Sequence, residues 1–151
     1  MLLATWLGFL VIYDFVFIKG GFYNWACFSA QQAAEKACKA VFQRMRAEAW
    51  GHSVADLLKE LAKKHDVPDE LADVALELDK AYIPTRHPNV HLSGSPRSRY
   101  TKGEARRLKE YAERIVKFCS DLLSSQKRCQ LIHSLIMKCR FEKDAVSKKR
   151  F

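Results

Sequence analysis

The sequence predicts an all-α protein, an up-and-down antiparallel helical bundle. Three observations carry that prediction. Apolar residues recur at steps of three and four along successive stretches, which is the period of one helix face. Residues that break helices, Gly20-Gly21, Gly51 and Pro68, fall between those stretches. The longest stretch, Phe22 to Met45, is rich in Ala, Gln, Glu and Lys, so local propensity and pattern agree.

The chain opens on MLLATWLGFLVIYDFVFI, residues 1–18. This run is just long enough to be considered as a membrane span. It lacks the basic start and the small-residue cleavage site of a signal peptide. Asp14 lies inside it, and a carboxylate at membrane depth is costly. The favoured reading is a buried first helix ended by Gly20-Gly21; a membrane anchor formed by residues 1–19 is the alternative. The Gly-Gly turn is tight, so the next helix should run antiparallel to the first.

That next helix is predicted from about Phe22 to about Ala49, stopping near Gly51. Tyr23, Cys27, Ala30, Ala34, Ala37, Val41 and Met45 step by four and three along one face. Most are small, which lets a neighbouring helix approach closely. Gln31, Gln32, Glu35, Lys36 and Lys39 occupy the other face and are expected to meet water. Ser53 suits an N-cap, with Asp56 three residues on. Val54, Leu57, Leu58 and Leu61 then give a short helix its stripe. His52, just before the cap, is expected to pack on Trp50. His65-Asp66-Val67-Pro68 breaks that helix, and Leu71, Ala75, Leu78 and Tyr82 carry the stripe of the next.

Ile83 to Tyr100 reads as a loop holding Pro84, Pro88 and Pro96, with Gly94 and several serines. Loops of this length inside compact bundles often carry function. Thr101-Lys102-Gly103-Glu104 reads as a capping box. It opens a helix with Leu108, Ala112, Ile115, Cys119 and Leu122 on one face and a Glu113–Lys117 pair at a four-residue spacing outside. After Ser124-Ser125 the pattern weakens, and Leu131, Ile132 and Leu135 suggest a further helix.

At 151 residues, 48% of them hydrophobic, the chain can build one domain with its own core, over 1–125, plus a basic extension over 126–151. The extension has eight Lys/Arg against two Asp/Glu, within a formal net charge of +9. Such a balance favours anionic partners: nucleic acid, nucleotides or a membrane surface. The five cysteines are odd in number and none are two apart. Neither a disulfide framework nor a zinc site follows, and a reducing, cytoplasmic setting is expected. No cofactor or metal is expected.

The cations concentrate around the loop. From Lys80 to Arg107 lie Lys80, Arg86, Arg97, Arg99, Lys102, Arg106 and Arg107, with Glu104 among them. Cations entering a helix N-terminus form a candidate phosphate or nucleotide site, assigned here to Lys80, Arg86, Arg97, Arg99 and Lys102. Tyr82 and Tyr100 are candidates to stack on a base. Arg86 can hold two phosphate oxygens, and His87 and His91 can exchange protons near neutral pH. The competing reading is an Arg86 that pins the loop to Asp79 or to a helix C-terminus.

Four phrases in order, FYNWACFSAQQAAEKACKAVF, AWGHSVADLL, LDKAYIPTRHPN and YTKGEARRLKEYAERIV, resemble the HEPN family (higher eukaryotes and prokaryotes nucleotide-binding). The resemblance runs from about Trp6 to about Leu123. It implies a HEPN-like bundle that forms a homodimer and binds nucleotides or RNA. It also implies a partner, a minimal nucleotidyltransferase, in a two-component system of toxin–antitoxin type. Some members are metal-independent ribonucleases marked by Arg, a polar residue and then His; Arg86, His87 and His91 match that spacing, which makes a ribonuclease toxin the alternative function. A third possibility is an interaction module without chemistry, held at a membrane by residues 1–19.

Overall fold

The structure, a computed structural model, describes residues 17–86 and 96–147, with side chains up to Ser125. It is all-α among these residues. The helices are α1, Tyr23–Arg44; α2, Val54–Ala62; α3, Asp69–Tyr82; and α4, Lys102–Ser147, with a 3-10 turn at Pro96–Ser98 before the last. The chain divides into two compact units, Met1–Ser120 and Asp121–Phe151. The predicted first helix lies, up to residue 16, outside the described residues. Among the described residues no helix is long and apolar enough to cross a membrane.

Each helix begins and ends for a reason visible in the sequence. Before α1, Gly21 takes a left-handed φ of 72°, and the Phe22 amide donates to the Phe17 carbonyl at 2.8 Å. Helix α1 ends five residues earlier than its pattern suggests, at a left-handed Arg46 with φ 55°. The Ala47 amide reaches back to the Phe42 carbonyl at 3.0 Å and the Arg46 amide to Gln43 at 3.1 Å. That pair of bonds is a Schellman closure, with arginine where glycine is usual.

Helix α2 starts where Ser53 Oγ accepts from the Asp56 amide at 3.1 Å. Helix α3 starts at Pro68, whose ring forbids a preceding helical turn. It ends where the Thr85 hydroxyl donates to the Ala81 carbonyl at 2.7 Å. At the head of α4, Thr101 Oγ1 accepts from the Glu104 amide at 3.2 Å, as the capping box requires. Lys102–Ser147 is one helix, although the weakening pattern predicts a break after Ser124-Ser125. Neither serine forbids a helical backbone; the Ser125 hydroxyl turns back to the Leu122 carbonyl at 2.9 Å, a bond that a helix accommodates.

The first unit packs α1 against α2 and α3, and α2 against α3. The small-residue face of α1 is buried as predicted: Cys27, Ala30, Ala34 and Val41 are wholly enclosed. Leu58, Leu61, Leu78 and Ile115 fill the space that these small residues leave. Each such side chain contributes about 1.5–3 kcal/mol relative to exposure. From α4, Ala105, Leu108, Ala112, Ile115 and Cys119 join this core, and Cys119 Sγ lies 3.8 Å from Cys38 Sγ on α1. Arg114 of α4 also reaches Glu70 of α3 at 2.7 Å. Glu113 pairs with Lys109 rather than Lys117, at 3.5 Å.

Two polar positions of α1 depart from expectation. Gln31 and Glu35, assigned to a water-facing side, are buried at 0% and 1% exposure. Helical period alone places them opposite the small-residue stripe. It does not reveal that the turn before α2 and the end of α3 cover that side as well.

Candidate functional site

The site is built where α1, the entry to α2 and the end of α3 meet. Its foundation is Asp79, near the end of α3. Its carboxylate accepts from the Ser53 hydroxyl at 2.9 Å, the Val54 amide at 2.8 Å and the Ala55 amide at 3.0 Å. A carboxylate at a helix N-terminus satisfies orphan amides and suits the helix dipole. This fixes the start of α2, and with it His52, against α3. Asp79 is thus occupied with α2 and does not pin Arg86.

His52 leaves Trp50 exposed, at 82%, and turns the other way. Its ring stacks on Tyr82 with centroids 5.3 Å apart and planes 17° apart. His52 Nδ1 lies 3.2 and 3.3 Å from the two oxygens of Glu35. The Gln31 amide donates to the His52 carbonyl at 2.7 Å, locking the backbone as well. Glu35 also accepts from Lys39 at 2.8 Å and from Gln32 at 2.9 Å. Three donors around one buried carboxylate offset its loss of water.

Arg86 completes the cluster. Its guanidinium carbon sits 4.5 Å from the Phe28 ring centroid and 4.7 Å from that of Tyr82. The side chain remains exposed. Asn24 Nδ2 donates to the Thr85 carbonyl at 3.2 Å and so ties the backbone just before Arg86 to α1. Among the described residues, Asn24 Oδ1 is buried without a hydrogen-bond partner. Trp25 lies edge-on to Phe28, with centroids 6.0 Å apart. Phe22, at the head of the same helix, carries Arg97 over its ring at 4.6 Å. Phe22, at the N-cap of α1, and Phe28, within it, thus hold two of the predicted cations.

The remaining predicted cations are spread out. Lys80 is exposed and bonded to Glu77, whose carboxyl it holds below the usual range. Arg99 and Lys102 are exposed, on the turn before α4 and at its first residue. His87 and His91 lie outside the described residues. Tyr100 is half-buried; burial, with Cys27 and Glu104 adding, pushes its phenol up to about 12. It is therefore part of the packing between α1 and α4. Among the described residues, no group of three or more His, Cys, Asp or Glu side chains is arranged to hold a metal ion.

The sequence pattern did not single out Glu35, Gln31, Phe28 or the role of His52. A signal was present: Trp25, Phe28, Gln32, Glu35 and Lys39 also step by three and four, giving α1 a second organised face. Chemically, that face offers stacked rings, an exposed guanidinium and an imidazole held by a carboxylate.

The comparisons with known proteins agree with this architecture. The family model of the HEPN domain matches residues 16–122. A protein of Thermus thermophilus of known crystal structure is 40% identical and superposes with a TM-score of 0.75, over 80% of this chain and 94% of that one. A HEPN domain protein of Thermotoga maritima is 54% identical, TM-score 0.65, over 81% and 96% of the two chains. An archaeal HEPN homologue is 32% identical, TM-score 0.62, over 79% and 95%. No curated protein matches the chain.

Proposed function

The chain belongs to the HEPN domain family, and we propose that it binds RNA or nucleotides where Arg86 lies over Tyr82 and Phe28. The observation that carries this reading is the state of Arg86. Its aromatic contacts restrict the side chain, yet it remains exposed. A guanidinium stacked on rings keeps its N–H donors for a phosphate, and the ordering cost is met before the ligand arrives. Trp25, exposed beside the Phe28 ring, offers surface for an unpaired base. Arg97, Arg99 and Lys102 extend the positive surface toward the head of α4, and Lys80 is a weaker member because Glu77 neutralises it.

The family resemblance adds two further parts to the proposal. The protein acts as a homodimer, and it forms one half of a toxin–antitoxin type pair with a minimal nucleotidyltransferase. The exposed apolar side chains Leu76 and Ile83 are ones that a partner would cover.

The test is binding of a labelled single-stranded RNA to the full chain by fluorescence anisotropy. Losing the Arg86 contact in Arg86→Ala should weaken affinity about tenfold or more, the range for a charge-assisted hydrogen bond. An unchanged affinity in Arg86→Ala, with an unchanged melting temperature, would remove Arg86 from the site.

A further inference from the structure

We propose that His52, held by Glu35, is the residue with which this site recognises the ribose 2′-hydroxyl, and so tells RNA from DNA. The inference rests on the RNA-binding reading above and assigns a role within that site.

The start of α2 does not need the His52 ring. The start of α2 is secured by Ser53 and by Asp79, which take the free amides at Val54, Ala55 and Asp56. The His52 backbone is secured through its carbonyl by Gln31. None of these bonds uses the imidazole. That ring is nonetheless fixed twice, by stacking on Tyr82 and by Glu35. Its side chain is 61% exposed, while Glu35 is 1% exposed. An exposed imidazole with so defined an orientation is the arrangement used to present one ring nitrogen to a ligand.

The chemistry of that nitrogen follows from Glu35. A carboxylate only accepts, so Nδ1 carries the proton of the neutral ring. Nε2 is then an acceptor, on a side chain that is 61% exposed. An acceptor does not suit a phosphate oxygen. It suits a hydroxyl, and the hydroxyl that distinguishes RNA from DNA is the ribose 2′-OH. Arg86 and His52 both pack on Tyr82, so a nucleotide whose phosphate meets Arg86 brings its sugar to the neighbourhood of His52. The division of labour is then plain: Arg86 holds the backbone charge, which both nucleic acids share, and His52 reads the sugar.

The experiment compares three single strands of one sequence, built from adenine and cytosine alone: RNA, DNA and 2′-O-methyl RNA. Affinities are measured at pH 8, where imidazole side chains are mainly neutral. Wild-type protein should bind RNA about five- to tenfold more tightly than either analogue, the worth of one net hydrogen bond. In His52→Ala that ratio should fall to about one. In His52→Phe, which keeps a ring on Tyr82 but removes both nitrogens, it should fall equally. In Arg86→Ala all three strands should weaken together and the ratio should persist. A wild-type ratio of one overturns the assignment. So does a ratio that survives in His52→Phe. Equal weakening of RNA and DNA by both His52 variants would make the residue a packing element and overturn it too. Absence of binding to any strand would instead defeat the RNA-binding reading, and the role of His52 with it.

Discussion

At the scale of single residues, Arg46 offers the sharpest check on the backbone. It is exposed and left-handed, at φ 55°, in a Schellman closure that glycine fills without steric cost. Arg46→Gly should raise stability by about 0.5–1 kcal/mol, readable in urea unfolding. No change, or a loss, would mean that the strained closure is not where α1 ends. The same residue explains why the end of α1 is hard to read from sequence. The apolar period runs on through Met45, and an arginine gives no sign of a C-terminal turn. Ala34 is the opposite case. Its spacing marks it as buried, and it is fully enclosed. Ala34→Leu should overpack the helix contact and cost about 1–3 kcal/mol, seen as a lowered melting temperature. The burial of Gln31 and Glu35 was not legible, for a physical reason. Polar residues on a helix face suit water or a buried network equally, and the covering residues, His52 and Asp79, come from other parts of the chain.

At the scale of elements, the bundle depends on two kinds of junction. The first is polar. Asp79 joins α3 to the head of α2, accepting three hydrogen bonds. Asp79→Ala should orphan two amides and cost about 1–3 kcal/mol, with the loss also displacing His52 from Tyr82. The second junction is apolar, between α1 and α4. Burial there pushes the Cys27 thiol up to about 12, with Glu104 adding, and Tyr100 rises to about 12 as well. Cys38 is also raised, first by its bond to Cys119 and then by burial. These groups stay protonated in the fold at pH values where the unfolded chain would ionise them. Their folded values exceed the ordinary 9.0 and 10.0, so their contribution is complete below about 9 and is lost as pH rises toward 12. Denaturation midpoints should therefore fall steeply above pH 9, and less steeply in Cys27→Ala. A flat profile from pH 9 to 11 would contradict the burial of these groups. Helical stripes were legible because their period survives any partner. The continuation of α4 past Ser125 was not, because serine neither promotes nor forbids a helix.

At the scale of the whole molecule, a helical bundle of the HEPN family carries a basic, aromatic surface. The chain has a net charge of +9, so weak attraction to any polyanion is expected. Specific contact differs from that background in depending on particular cations. If the protein acts as a homodimer, light scattering at micromolar concentration should give twice the mass of the 17.4 kDa chain; a monomer at every concentration would exclude a cleft shared between two copies. The fold class was readable from spacing and from the family phrases. The rings that hold Arg86 were not, because Phe28 and Tyr82 are distant in sequence and meet only when α1 packs on α3. RNA binding at this surface requires above all that Arg86 contacts a nucleic-acid phosphate. The salt dependence of RNA affinity, compared between wild type and Arg86→Ala, measures that contact. Binding should be weaker in the variant, and the slope of log affinity against log salt should be shallower by about 0.7, the value of one lost single-strand phosphate contact. Parallel lines with the same intercept would contradict it.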